Sequence, residues 1–341
     1  HIFRFVLMKK EVLFAILAGL GLGLIIAFGV WRANVALSPK GNESKIEASP
    51  TPKPEFAITL AKPAANDVFT GNPVIVSGIT KANAYIAISG EDEDYILQAD
   101  AKGSFEAEVE LTGGVNQLVI VAFDEKGSEV SQKLLLVFST EFEKYMKVDV
   151  TKEETQSATD SVRDKVQQKV SQALKSPKAF LGTVTDILEN TLQIKSDSGE
   201  IEQLSVSLET SVLKTGKTSK EVKLTDVAIG DFIIAMGFKN GNGVLDTKRI
   251  LITSPIESTN RRAIFAKVVK GGNKDIISQI VKTEEDQKVA PDKNVTVLLL
   301  TDGKTAKIKF TDLKVEDMII ALGEEADSTL TARTIFVVKR P

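Results

Sequence analysis

Residues 210–237 recur, 86 positions further on and without a gap, as residues 296–323. The run Val222-Lys-Leu-Thr-Asp-Val-Ala-Ile-Gly-Asp-Phe-Ile-Ile-Ala-Met-Gly237 lies over Ile308-Lys-Phe-Thr-Asp-Leu-Lys-Val-Glu-Asp-Met-Ile-Ile-Ala-Leu-Gly323. Lys223, Thr225, Asp226, Asp231, Ile233, Ile234, Ala235 and Gly237 return unchanged, and most other pairs exchange one apolar residue for another. A segment written twice serves as the same supersecondary unit twice, so the C-terminal half of the chain is held to two copies of one fold.

Each copy opens on an apolar run (Phe180 to Ile187; Ile264 to Val269) and closes on another (Arg249-Ile250-Leu251-Ile252; Thr334-Ile335-Phe336-Val337). Between them lie short strand-like runs and hairpin signals, Asn240-Gly241-Asn242-Gly243 and Asp302-Gly303. Several short strands remove their exposed edges most simply by closing on themselves, which predicts two tandem OB/SH3-like small β-barrels, residues 178–256 and 260–341.

At the other end, Val12 to Trp31 carries no charge. About twenty apolar residues at roughly 1.5 Å each match a hydrocarbon core of about 30 Å. Arg4, Lys9 and Lys10 precede the run, which predicts a cytoplasmic N-terminus (1–11), a transmembrane anchor (12–31) and extracytoplasmic C-terminal domains at a bacterial cell membrane. The run is longer than the core of a cleaved signal, and the candidate cleavage site Asn34-Val35-Ala36 has Asn where a small residue is wanted, so the anchor is expected to be retained. Ala15, Gly19, Gly23 and Ala27 repeat every fourth residue along it, a candidate face for homodimer formation within the bilayer.

Residues 32–55 are rich in Pro, Ser and charge and read as a stalk. From Phe56 to Ser139 short apolar runs alternate with turns. Phe105, Ala107, Val109 and Leu111 share one face of a strand whose other face carries Glu106, Glu108 and Glu110, the pattern of a half-buried antiparallel strand. Val74-Ile75-Val76, Tyr85 to Ile88, Leu118 to Val121 and Leu134 to Val137 supply further strands of a β-sandwich. Residues 140–177 read as a linker helix: Thr151 and Glu154 match a capping box, Val162, Val166, Val170 and Leu174 form a narrow apolar stripe, and Pro177 ends it.

Gly78, Asp100, Gly103-Ser104-Phe105, Gly114-Val115-Asn116, Ala122-Phe123-Asp124 and Gly127 are spaced as in the bacterial Ig-like domains related to the B domain of glucodextranase, which residues 56–139 resemble. That resemblance implies an Ig-like fold in an extracytoplasmic setting and no catalysis. The copies, through Gly182-x-Val184, Thr210-x-Val212, Asp226-Val227-x-x-Gly230-Asp231-x-Ile233 and a late Arg-Ile strand, are similar to small β-barrel domains of unknown function in bacterial envelope proteins. The second copy departs at Ala266 and Glu316, which replace glycines, so its tight turn is expected to be reshaped.

Little in the chain points to chemistry. One histidine, at position 1, and no cysteine exclude a Ser-His-Asp triad, a Cys-His pair and His- or Cys-based zinc sites. The acidic run Glu91-Asp92-Glu93-Asp94 lacks calcium-loop spacing and is expected to be a solvated hairpin tip. Asp226/Asp312 and Asp231/Asp317 could be offered as paired carboxylates, but Asp just before a buried strand commonly bonds its own turn. A mildly acidic balance, −3 overall, disfavours nucleic acid as a partner. The expected protein is therefore mainly β and non-enzymatic, with no cofactor or metal: an N-terminal transmembrane helix, an Ig-like β-sandwich, a linker helix and two tandem barrels. Its expected role is to present binding or spacer modules at the envelope, the alternatives being an accessory subunit of an envelope enzyme or secretion complex and a cell-wall glycan-binding protein; the lipid bilayer is one expected partner and an envelope protein or cell-wall glycan another. Aromatic residues make up only 6%, which weighs against the glycan.

Overall fold

Three turns of one chemistry set the hairpins of this chain. Asp100, Asp124 and Asn240 each turn a side-chain oxygen back onto the amides two and four residues on, at 2.8–3.1 Å, and each is followed three residues later by a glycine at positive φ. Such self-bonded turns leave the flanking residues free to pair as strands. A computed structural model describes residues 56–146, 176–216, 219–301 and 304–341.

The first eight strands are β1 (Thr59–Lys62), β2 (Val68–Phe69), β3 (Val74–Ile79), β4 (Tyr85–Ser89), β5 (Asp94–Gln98), β6 (Ser104–Val109), β7 (Gly114–Phe123) and β8 (Glu129–Phe138). They form a three-stranded sheet, β1-β3-β6, and a five-stranded sheet, β2-β8-β7-β4-β5. The two face each other across one core. Val76, Phe105 and Val109 of the small sheet meet Ile86, Ile88, Leu118, Ile120 and Leu136 of the large one.

The first copy supplies β9 (Pro177–Leu188), β10 (Thr191–Lys195), β11 (Ile201–Ser205), β12 (Ser211–Lys214), β13 (Lys220–Val222), β14 (Phe232–Lys239) and β15 (Leu245–Thr253). The second supplies β16 (Arg261–Lys270), β17 (Ile276–Ile280), β18 (Asp286–Thr301), β19 (Lys304–Ile308), β20 (Met318–Ala326) and β21 (Thr329–Lys339). Their orders are β11-β10-β9-β14-β15-β12-β13 and β17-β16-β20-β21-β18-β19. The sequence of pairings is the same once β18 is seen to run through the places of both β11 and β12. In each copy the end strand also pairs back, β11 on β15 and β17 on β18, so the hydrogen bonding closes into a ring.

Both copies kink the duplicated strand at one point. Gly237 and Gly323 lie at register shifts, where an added Cβ would come within 2.1 Å and 1.9 Å of the carbonyl oxygens of Asp246 and Thr331. Only glycine admits that approach at a bulge.

The turn before that strand corrects one expectation. Gly230 has φ 96° and Glu316, in its place, has φ 73°. The surrounding bonds are also the same: the Gly230 and Glu316 amides donate to Val184 and Val268 at 2.9 and 2.8 Å, and the Asp231 and Asp317 carboxylates accept from Ala228 and Lys314 at 2.9 Å. The second copy keeps the turn and holds a non-glycine residue in the left-handed region to do so, at a cost of about 1 kcal/mol.

The largest correction concerns how the units are joined. The inner face of the duplicated strand fills each copy's own core, through Ile233 and Ala235 or Ile319 and Ala321. Its outer face is equally apolar and buries itself on the five-stranded sheet. Ile234, Met236 and Phe232 pack with Val68, Val137 and Phe142, while Ile320, Leu322, Phe265 and Phe336 pack with Ala87, Val119, Val121 and Phe123. Phe265 touches the rings of Tyr85 and Phe123 at centroid distances of 6.0 and 5.9 Å. Alternate side chains of a strand point to opposite faces, so β7 sends Leu118, Ile120 and Ala122 into the sandwich core and Val119, Val121 and Phe123 into the second copy.

The described chain is thus mainly β and solenoid-like, β layer stacked on β layer in one unit from Phe56 to Pro341. That replaces the expected string of an Ig-like sandwich, a linker helix and two separate tandem barrels. The expected anchor at residues 12–31 lies outside the described residues. Among the described residues no helix is long and apolar enough to cross a membrane, so the structure gives the transmembrane description no support. Of the expected linker helix, the described part is a 3-10 turn, Thr140–Phe142, and a short helix α1, Glu143–Met146. Val162, Val166, Val170 and Leu174 lie outside the described residues, and Pro177 opens strand β9.

Candidate functional site

Glu91-Asp92-Glu93-Asp94 joins β4 to β5 as a hairpin; Asp92 and Glu93 are exposed at its tip, as expected, but the two ends of the run are held by the rest of the fold. The Asp94 side chain is wholly buried under Arg333 of β21. Arg333 donates Nε to one Asp94 oxygen at 3.0 Å and Nη2 to the other. The same guanidinium donates to the carbonyls of Glu91 and Gly90, at 2.6 and 2.9 Å, and to the Ser89 hydroxyl at 3.1 Å. Burial opposes the Arg333 charge, but the hydrogen bond and charge of Asp94, with the charges of Glu91 and Asp92, outweigh it and raise its pKa.

A second guanidinium grips the other end of the turn. Arg261, at the start of β16, donates Nη2 to the Glu91 carboxylate at 3.1 Å and also donates to the carbonyls of Gly90 and Gln117. Only 7% of its side chain is exposed. Glu91 in turn accepts from the Gln117 amide at 2.8 Å. The Gln117 side chain then holds the connection between the copies, donating to the Glu257 carbonyl at 2.7 Å and accepting from the Thr259 amide at 3.3 Å. Arginine suits this position because its planar fork reaches carboxylate and carbonyl oxygens together and stays charged when buried. Removing one partner of such a pair leaves a buried charge uncompensated, which costs about 3–5 kcal/mol.

Beside this clamp lies a cavity of about 320 Å³ whose lining includes Ser89, Arg261, Asp292, Gly323, Glu324 and Arg333. Lesser polar links join the first copy to the sandwich: Lys178 to Asp67 at 2.5 Å, and Arg249, itself 7% exposed, to Glu141 at 3.1 Å.

The duplicated carboxylates serve their own turns. Asp226 and Asp312 accept from the amides of Lys223 and Lys309 at 2.9 and 3.0 Å, capping a 3-10 turn in each copy. Asp317 is wholly buried and takes a two-pronged bond from Arg340, at 2.9 and 2.7 Å, in addition to its turn bond. No group of three or more His, Cys, Asp or Glu is placed to hold a metal ion among the described residues. Ala15, Gly19, Gly23 and Ala27 lie outside the described residues.

Sequence reasoning missed Arg261 and Arg333. The available signal was faint: a lone cation at the edge of an otherwise apolar strand run, in Arg333-Thr334-Ile335-Phe336-Val337.

No family model matches the chain, and no curated protein does. Among solved structures, a carbohydrate acetylesterase from Xanthomonas citri matches at 26% identity and TM-score 0.19, over 24% of this chain and 19% of the esterase. A calcium-stabilised, ice-binding adhesin of an Antarctic bacterium matches at 15% identity and TM-score 0.17, over 84% of this chain and 74% of the adhesin. The chain thus spans about a fifth of the esterase's length, and neither likeness carries an argument about fold or activity.

Proposed function

We propose that this protein is a non-catalytic, extracytoplasmic spacer module that holds its outer surfaces at fixed distances from one another. The observation that carries the reading is the double burial of the duplicated strand. A chain of independent modules would present a polar outer face on each copy, whereas Ile234, Met236, Ile320 and Leu322 are all buried against the five-stranded sheet. The arginine clamp on the 90–94 turn adds orientation to that apolar contact, since two forked donors fix position as well as distance. The polar side chains of the clamp and the duplicated turns serve structure, which suits a part whose task is mechanical.

The chain has no cysteine, so pairs of introduced cysteines can be spin-labelled without background. Labels at Glu106 and Lys307, and at Glu106 and Glu221, are expected to give single, narrow distance distributions by double electron–electron resonance. Broad or multiple distributions for either pair would overturn the rigid-spacer reading.

A further inference from the structure

The geometry points to a smaller cavity, between the sandwich and the first copy, as a binding site for a small organic carboxylate. Among the described residues, three arginines reach from the copies to the sandwich, and two of them are gripped by several oxygens each. Arg333 holds the Asp94 carboxylate, two carbonyls and a hydroxyl, and Arg261 holds the Glu91 carboxylate and two carbonyls. Arg249 makes one bond, from Nη2 to Glu141 at 3.1 Å, although only 7% of its side chain is exposed. Its Nε is buried without a partner; its Nη1 has none among the described residues either, but reaches accessible surface. A guanidinium so enclosed calls for acceptor oxygens beyond the one it has.

Arg249 and Leu251 stand on the outer face of β15, opposite Ile250 and Ile252 of the first copy's core. That face meets the end of β8 and the start of β7, where a cavity of about 270 Å³ has Gly113, Gly114, Phe138, Glu141, Arg249 and Leu251 in its lining. Nη1 and Nη2 form one end of a planar fork, so the Nη2 bond to Glu141 also sets Nη1 beside the cavity. An added Cβ at Gly113 or Gly114 would meet nothing within 4 Å, which leaves that wall open. Arg249 is the one cation of the lining and Glu141 the one anion. Glu141 is 67% exposed and holds the fork through a single surface bond, a contact that contributes little. A carboxylate entering the cavity takes Nη1 and Nη2 together, the two-pronged pairing that arginine favours, and turns Glu141 out to solvent. Phe138 and Leu251 then flank the organic part of the ligand. The site also lies where two packed layers meet, a preferred place for a ligand pocket. The inference is independent of the spacer reading, which stands or falls on the distance measurements.

The test is amide-resolved NMR titration of the full chain with benzoate, its neutral counterpart benzamide, and inorganic phosphate. Benzoate is expected to shift the amides of Gly114 and Leu251 with a millimolar dissociation constant, the range open to a ligand of about nine heavy atoms. Benzamide is expected to bind at least about fivefold more weakly for want of charge, and phosphate likewise for want of an apolar body. Glu141→Gln removes the competing carboxylate at an exposed position, so benzoate should bind that variant about two- to fivefold more tightly. Arg249→Gln is expected to lose the shifts, and Glu141→Gln carries the test should that variant not fold. The proposal is overturned if benzoate shifts neither amide at about 50 mM, if benzamide or phosphate binds as tightly as benzoate, or if Glu141→Gln leaves the benzoate affinity unchanged or weaker.

Discussion

At the scale of single residues, the duplication offers an internal comparison that few chains provide. Gly230 and Glu316 hold the same turn with the same bonds, yet only one has the conformational freedom for it. An added Cβ at Gly230 meets nothing within 4 Å, so the difference is one of backbone preference and not of space. Replacing Glu316 by glycine is expected to stabilise the chain by about 0.5–1 kcal/mol in urea unfolding, with part of the relief given back as backbone entropy in the unfolded state and as the loss of the 3.5 Å contact to Lys267. A loss of stability in that variant would show that Glu316 makes some contribution its geometry does not reveal. The φ of Glu316 was not legible in the sequence, because a glycine exchanged for glutamate reads as a turn that has changed. Asp226, Asp231 and their repeats were legible as turn formers, because Asp bonding to an amide three residues back is a local matter.

At the scale of elements, the informative strand is the one that looks least patterned. The alternation of Phe105, Ala107 and Val109 with glutamates marked β6 as a strand with one wet face, and β6 has one. Leu118 to Val121 has no alternation, and the reason is now plain: both faces of β7 are covered, one by the small sheet and the other by the second copy. An unbroken apolar run therefore marked a strand without saying what covered it. The clamp was hidden for a different reason. Asp94 and Arg333 are separated by 239 positions, and nothing in the neighbourhood of either announces the other. Phe265 puts the packing to a direct test, since it lies on the outer face of its own copy. If the copies were separate modules it would be exposed, and Phe265→Ala would cost little. Buried against Tyr85 and Phe123, its truncation should cost about 3 kcal/mol, readable as a shift in the denaturant midpoint with the slope unchanged. A cost below about 0.5 kcal/mol would contradict the contact.

At the scale of the whole molecule, the two copies give the chain a symmetry of use as well as of sequence. Each turns the same face of the same duplicated strand to one five-stranded sheet, the first against Val68 and Val137, the second against Val119 and Val121. Sequence identity explains why both faces of that strand stayed apolar; it did not show that a third element would cover them. Because the cores of the sandwich and of both copies are joined through these contacts and through the arginine clamp, the described part of the chain should not come apart in stages. Differential scanning calorimetry of the full chain tests that most directly. A single transition, with calorimetric and van't Hoff enthalpies in agreement, is the predicted result. Two or three resolved transitions, each matching a β unit melting alone, would contradict it.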